Sequence, residues 1–156
     1  MKLVGIIDED FINYKKTCMT LEFPYCTFKC DREYGQPVCQ NSTLANAPII
    51  DIATEKIINR YLNNNISEAV CFQGLEPFDS WNELYDFVSK FRAKCKDDIV
   101  IYTGYKEEEI FDKVILLRQY ENIIIKFGRF IPGQEKHYDE ILGVELASDN
   151  QYGKIV

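Results

Sequence analysis

The sequence predicts an α/β fold in which alternating strands and helices build a mainly parallel sheet, arranged as an incomplete, TIM-like barrel. Two observations lead to this fold class. Apolar segments of strand length alternate along the chain with segments whose apolar residues recur every three or four positions. The chain has 156 residues, whereas a closed eightfold barrel typically needs about 250, so one side of the barrel is expected to stay open.

Four short apolar segments are expected to form the parallel strands. Residues 18–23 alternate between apolar and polar side chains, and residues 69–74, 98–104 and 122–126 are mostly apolar. The segments between them carry helical periodicity, which is the pattern of right-handed crossover connections. The four segments are therefore predicted to pair side by side in one sheet.

Three segments between these strands carry the apolar spacing of amphipathic helices. The helices are expected at residues 54–64, from Trp81 onward, and at residues 106–119. Residues Ser80–Glu83 have the form of a capping box, which indicates a helix start. The charged run Lys106–Glu109 is predicted to lie in solvent at the start of the last helix.

Composition indicates one domain, residues 1–156, and excludes two classes of partner. A net charge of −7 and a pI of about 4.8 argue against nucleic-acid binding, because nucleic-acid binders carry a basic surface. No apolar run approaches the roughly 20 residues that cross a bilayer, so no membrane partner is expected. A cytoplasmic location follows as the expectation, and there the six cysteines stay as thiols unless a metal binds them.

Three segments that follow predicted strands carry the candidate functional residues. A cysteine-rich loop at residues 24–41 follows the first strand, Gly74–Pro77 follows the second, and Thr103–Tyr105 follows the third. In parallel α/β sheets the chemistry lies at the carboxyl ends of the strands. We therefore expect these three segments to meet on one rim.

The cysteine loop holds three thiols, Cys26, Cys30 and Cys39. Thiolates are soft ligands for zinc or for iron–sulfur clusters, and a structural site normally takes four protein ligands. Three ligands leave one position open to another molecule, as in a catalytic site. The alternative is a structural zinc ion whose fourth ligand is one of the remaining cysteines. Cys71 lies in the middle of a predicted strand and is expected to be a small buried hydrophobic residue, so the candidates for this ligand are Cys18 and Cys95.

The arrangement of these motifs resembles the radical S-adenosylmethionine superfamily. Residues Cys26–Cys30 have the spacing of the first two cysteines of its signature, and Cys39–Asn41 is similar to the third cysteine in the activating proteins of anaerobic ribonucleotide reductase, which are glycyl radical enzyme activases. Residues 72–77 resemble the family's Gly-Gly-Glu-Pro turn, 101–105 its third-strand end, and 148–151 its carboxyl-terminal motif.

This resemblance implies an oxidoreductase with a 4Fe-4S cluster and S-adenosylmethionine as cofactors. The implied reaction is reductive cleavage of S-adenosylmethionine to a 5′-deoxyadenosyl radical, with a large glycyl radical enzyme as protein substrate and a flavodoxin- or ferredoxin-type protein as reductant. The implied cluster ligands are Cys26, Cys30 and Cys39. The implied cofactor-binding residues are Val38, Gly74, Leu75, Glu76, Thr103 and Gly104.

The sequence departs from the family pattern at three places. Eight residues, 31–38, separate the second and third cysteines where the family usually has two, although loop closure costs only about 0.6 kcal/mol per doubling of length. Val38 replaces an aromatic residue, and Leu75 replaces the second glycine of the turn. These departures keep open the alternative of a non-enzymatic zinc or iron–sulfur module, acting as an adaptor or an electron carrier.

Overall fold

The computed structural model describes all residues, Met1–Val156. The strands are β1 (Lys2–Leu3), β2 (Gly5–Asp10), β3 (Cys18–Phe23), β4 (Ile50–Asp51), β5 (Ala69–Gly74), β6 (Asp98–Tyr102), β7 (Ile123–Phe127), β8 (His137–Asp139), β9 (Val144–Leu146) and β10 (Tyr152–Ile155). The α-helices are α1 (Lys29–Tyr34), α2 (Thr54–Leu62), α3 (Trp81–Arg92) and α4 (Phe111–Leu117). Short 3₁₀ turns lie at Ser42–Asn46, Pro77–Ser80 and Glu107–Glu109.

Six strands form the central sheet, in the order β10-β7-β6-β5-β3-β2. The four central strands are parallel, and the edge strands β2 and β10 pair antiparallel with their neighbours. The sheet is not closed into a barrel, and two further two-stranded sheets, β1-β4 and β8-β9, lie outside it. The predicted α/β class with a mainly parallel sheet is therefore confirmed.

The two faces of the sheet have different neighbours because side chains alternate along each strand. Leu21, Phe72 and Ile101 belong to the larger apolar core, which also contains the buried stripes of α2, α3 and α4. On each strand, the residues that alternate with these three have side chains on the opposite face of the sheet, which we call the inner face. There a smaller apolar cluster, which includes Cys18, Cys71 and Leu142, fills the part of the inner face near the amino ends of the strands.

Several predicted boundaries change in the structure. Strands β3 and β5 have the predicted bounds, whereas β6 ends at Tyr102 and the helix expected at 106–119 is split into a 3₁₀ turn and α4. Helix α3 begins at Trp81 as expected, but the capping-box prediction is wrong, since Ser80 makes no capping hydrogen bond and Glu83 accepts one from the Lys2 amide. No helix in the structure combines the length and the apolar character needed to cross a membrane.

A close contact between two parallel strands explains the glycine at the end of β5. Gly74 has φ +97°, and a Cβ atom there would lie 2.7 Å from the amide nitrogen of Phe23. The Leu75 amide then donates to the Phe23 carbonyl at 3.1 Å, which continues the pairing into the turn. Glycine at this position therefore sets how closely the turn after β5 approaches β3.

We predict that Gly74→Ala lowers the free energy of unfolding by at least about 1–3 kcal/mol, because both the backbone angle and the contact with Phe23 become unfavourable. Urea unfolding of the apoprotein measures the change. The matched control is Gly133→Ala, at φ +81° with no atom within 4 Å of the added Cβ, which tests the backbone angle alone. Equal losses in the two variants would contradict the proposed packing contribution.

Candidate functional site

A cavity of about 470 Å³ lies at the carboxyl ends of the parallel strands. Of the nine residues that the sequence implicates, all but Val38 line it: Cys26, Cys30, Cys39, Gly74, Leu75, Glu76, Thr103 and Gly104. These residues come from three separate stretches of the chain, after β3, after β5 and after β6. The sheet thus brings the predicted segments to one place.

The first part of the cysteine loop turns sharply after Cys26. Phe28 has φ +48°, which is uncommon for a residue with a large side chain, and its amide donates to the Cys26 sulfur at 3.1 Å. Helix α1 begins directly afterwards and carries Cys30 in its first turn. The turn thus presents the first two thiols on the side of the loop that faces the cavity.

Asp31 holds together the two ends of the eight-residue loop between the second and third cysteines. Its Oδ1 accepts hydrogen bonds from the amides of Val38 and Cys39, both at 2.8 Å. These two bonds lower the pKa of Asp31, the Val38 amide having the larger effect. The chain leaves α1 through Gly35 and returns to the helix start, so Cys39 lies beside the turn that carries Cys30 despite the unusual spacing.

Burial decides the protonation of the first two thiols in the metal-free chain. Burial raises the pKa of Cys26 to about 12 and that of Cys30 to about 11. Nearby charges act in the same direction, including those of Glu76 on Cys26 and of Cys39 on Cys30. Metal binding to these thiols therefore releases protons, because thiolates are the ligands.

The third cysteine segment contacts the glycine turn directly. The Asn41 side-chain amide donates to the Gly74 carbonyl at 3.0 Å. A second link joins the start of the loop to the β6 end, since Asp79 accepts from the Thr27 amide at 2.8 Å and from the Tyr105 hydroxyl at 2.6 Å. The loop is thus held to the ends of both β5 and β6 by side-chain hydrogen bonds.

Glu76 joins the turn after β5 to the end of β6. The side chain is 4% exposed and accepts hydrogen bonds from the Phe78 amide at 3.1 Å, the Thr103 hydroxyl at 2.8 Å and the Gly104 amide at 2.9 Å. Burial nevertheless raises its pKa to about 7, because desolvation outweighs these three donors. The Glu76 side chain therefore links the turn after β5 to the end of β6, and both of its oxygens accept hydrogen bonds from the protein.

An ion-pair network covers one side of the cavity. Glu109 pairs with Lys29 of the cysteine loop and with Arg129, whose Nη2 lies 2.7 Å from both carboxylate oxygens. These partners lower the pKa of Glu109 to about 2 against the opposing effect of burial. Glu109 is exposed, as expected for the run Lys106–Glu109, but its carboxylate also joins the cysteine loop to the segment after β7.

Arg129 is 6% exposed, and its Nε and Nη1 have no hydrogen-bond partner, although Nε lies 3.3 Å from the Glu33 carboxylate. The carboxyl-terminal motif holds this segment in place. Asn150 donates to the Arg129 carbonyl at 2.8 Å, and Gln151 donates to the Gly128 carbonyl at 3.3 Å. The motif at 148–151 thus positions the backbone beside the cavity.

Sequence reasoning missed two basic residues of the cavity, Lys126 and Arg129. Both residues follow the apolar run Ile123–Ile125. The signal in the sequence is a lysine at the end of a strand that is otherwise fully apolar. Val38 does not line the cavity; its amide contacts Asp31 instead.

All six cysteines are free thiols. None of the three considered as a fourth zinc ligand lines the cavity: Cys18, Cys71 and Cys95. The cavity therefore offers three thiols and no fourth cysteine, a donor set that fits a cluster with one non-cysteine position. No group of three or more histidine, cysteine, aspartate or glutamate side chains already converges on a common point.

Comparison with known proteins identifies one family. Residues 16–151 match the family described as 4Fe-4S single cluster domain, which covers most of the chain and includes every element from β3 to the carboxyl-terminal motif. No curated protein and no solved structure matches the chain.

The raised pKa of Glu76 predicts a specific pH dependence of stability. Between about pH 4.5 and pH 7 the folded chain keeps a proton on Glu76 that the unfolded chain releases, so folding becomes less favourable as the pH rises through this window. In Glu76→Gln this loss, on the order of 1–3 kcal/mol, is expected to disappear. Chemical unfolding of the apoprotein at pH 5 and pH 8 measures it.

The matched control is Glu68→Gln, which changes an exposed carboxylate with no side-chain hydrogen bond. It is expected to keep the pH dependence of the unsubstituted chain. If Glu76→Gln and Glu68→Gln show the same dependence, Glu76 is not the group that titrates in this range.

Proposed function

Because the chain belongs to the family of 4Fe-4S single cluster domains, we propose that it is a radical S-adenosylmethionine enzyme that activates a glycyl radical enzyme. The observation that carries the proposal is the convergence of separate motifs. Three thiols, the glycine turn and the β6 end, each similar in sequence to that superfamily, line the same cavity. The partial, TIM-like barrel of the superfamily is likewise compatible with the open parallel sheet.

Cys26, Cys30 and Cys39 are the proposed ligands of the cluster. When bound, a 4Fe-4S cluster with an open iron supplies the electron that cleaves S-adenosylmethionine to methionine and a 5′-deoxyadenosyl radical. The three thiols would lose their protons on metal binding and would have to move closer together, because they do not converge on a common point in the metal-free chain. Asp31 limits the distance over which Cys39 moves, because it holds the Cys39 amide against α1.

The remaining residues of the cavity have positioning roles in this proposal. The backbone of Gly74 and Leu75 borders the cavity where the sequence motif expects the methionine part of the cofactor. Glu76 fixes Thr103 and Gly104 in place, since it uses its own oxygens for their donors. Orientation of bound groups by such rigid contacts lowers the barrier of a reaction that the cofactor itself performs.

The open side of the sheet favours a macromolecular substrate. Strands β2 and β10 are free edges, and the sheet does not close into a barrel around the cavity. A protein segment from a partner fits such an opening, and the glycyl radical enzymes supply one in the family that the sequence resembles. A flavodoxin- or ferredoxin-type protein is the proposed source of electrons.

The ligand assignment predicts iron contents. After anaerobic reconstitution, the unsubstituted chain and Cys71→Ala are expected to hold about four irons, whereas Cys26→Ala, Cys30→Ala and Cys39→Ala hold almost none. Cys71 is the matched control because it is buried on the inner face outside the cavity. Iron and sulfide analysis provides the measurement, and a full cluster in Cys39→Ala would overturn the assignment.

The reaction itself is tested with the reconstituted chain. With dithionite and S-adenosylmethionine it is expected to form 5′-deoxyadenosine and methionine, detected by mass spectrometry, because the radical takes a hydrogen atom from solvent components or the protein. Cys39→Ala is expected to form neither. A chain with four irons that forms no 5′-deoxyadenosine is an electron carrier, and stoichiometric zinc indicates an adaptor; either result refutes the enzymatic proposal.

A further inference from the structure

A row of four polar side chains crosses the inner face of the sheet below the rim. Glu22 pairs with Gln73 across β3 and β5, and Tyr102 pairs with Lys126 across β6 and β7. The pairing of Phe72 with Ile101 places Gln73 beside Tyr102, so the row is continuous. All four side chains line the cavity, and we call this row the cavity floor.

The floor offers unused hydrogen-bonding capacity. The Tyr102 hydroxyl donates to the Asn13 carbonyl at 2.6 Å, but the side chains of Glu22 and Gln73 have no protein partner. Lys126 donates to the Gly128 carbonyl at 2.8 Å and lies over the Tyr102 ring. An ammonium group has three donors, so at least one remains for a ligand.

Lys126 is a buried cation that no carboxylate contacts directly. The residue is 7% exposed, and no carboxylate lies within 4.0 Å of its ammonium group. The two basic residues of the rim differ in this respect, since Lys29 and Arg129 both pair with Glu109. Burial lowers the pKa of Lys126 to about 8 although the charge of Glu76 acts in the opposite direction, so the ammonium charge is held at a cost that an anion in direct contact would offset.

We propose that Lys126 forms a subsite that binds a carboxylate of the substrate. The inference rests on the proposed function, because it assigns the chemical class of the group that a substrate segment brings into the same cavity. A carboxylate matches Lys126 in charge, and Glu22, the anion of the floor, lies three strands away on β3, whereas a phosphate dianion calls for more positive charge. A side-chain or terminal carboxylate of a peptide meets this requirement.

The position of Lys126 separates this subsite from the cofactor region. Gly74 is the last residue of β5, and Leu75 and Gly104 follow the ends of β5 and β6 on the rim, whereas Lys126 lies inside β7 on the inner face. A group that contacts Lys126 therefore reaches past the rim. The methionine carboxylate of S-adenosylmethionine is the other source of the same chemistry, and the second arm of the experiment distinguishes it.

The first arm compares two peptides on the reconstituted, full-length chain, acetyl-Gly-Glu-Gly-amide and acetyl-Gly-Gln-Gly-amide. The glutamate peptide is expected to bind about tenfold more tightly, measured by calorimetry or by competition in NMR, because a charge-assisted hydrogen bond to a buried ammonium replaces a neutral one. Lys126→Met is expected to reduce this preference to about onefold, and Lys126→Arg to restore most of it.

Lys113→Met is the matched control. Lys113 also lies over aromatic rings and donates to a backbone carbonyl, that of Phe78, but it does not line the cavity. This variant is expected to keep the full preference for the glutamate peptide. No preference in the unsubstituted chain, or a preference that survives in Lys126→Met, would overturn the subsite.

The second arm measures the affinity for S-adenosylmethionine. Lys126→Met is expected to bind it within about twofold of the unsubstituted chain, and a loss of tenfold or more assigns the lysine to the nucleotide and overturns the proposal. The two proposals fail separately. If the unsubstituted chain does not cleave S-adenosylmethionine, the proposed function fails, whereas the peptide preference is still measured directly.

Discussion

One buried carboxylate determines the arrangement of the cavity rim. Glu76 accepts three hydrogen bonds, and two of their donors, Thr103 and Gly104, belong to the neighbouring strand end. A carboxyl group so deeply buried is costly unless both oxygens are satisfied: Oε1 accepts from Phe78 and Thr103, whereas Oε2 accepts only from the Gly104 amide. The cost of burial is therefore what fixes the turn after β5 relative to the end of β6.

The cysteine loop takes its position from this rim. Asn41 contacts the Gly74 carbonyl, and Asp79, in the turn that Glu76 opens, contacts the Thr27 amide. Both bonds join a side chain to a backbone group far away in sequence, so they depend on the pairing of β3 with β5. Helix α1 itself buries no residue and contributes little packing. The loop is thus ordered by polar contacts, which leaves it able to adjust when thiols bind a metal.

The parts of the structure that depend on local pattern are the parts that the sequence predicted. Strands β3 and β5 and the start of α3 follow from apolar periodicity and turn residues within a few positions. The edge strand β2 was missed because its segment is acidic, and β10 because pairing with β7 decides it. The three thiols and the glycine turn were predicted from motifs, whereas the Asp31 bonds that bring Cys39 back to α1 depend on a turn geometry that spacing alone does not reveal.

Lys126 was not predicted from the sequence as a cavity residue, because a charged side chain at a strand end is expected to lie in solvent. A lysine after three isoleucines in a row is, from sequence alone, a strand end that reaches solvent, and most lysines in such places do. In this chain β10 covers one side of β7 and the segment around Leu146 lies over the inner face, so the ammonium group stays inside. An acidic protein has many carboxylates with which to neutralise such a charge, and it pairs one of them with both Lys29 and Arg129. No carboxylate contacts Lys126 directly, so its ammonium group is free to take an anionic partner from a ligand that enters the cavity.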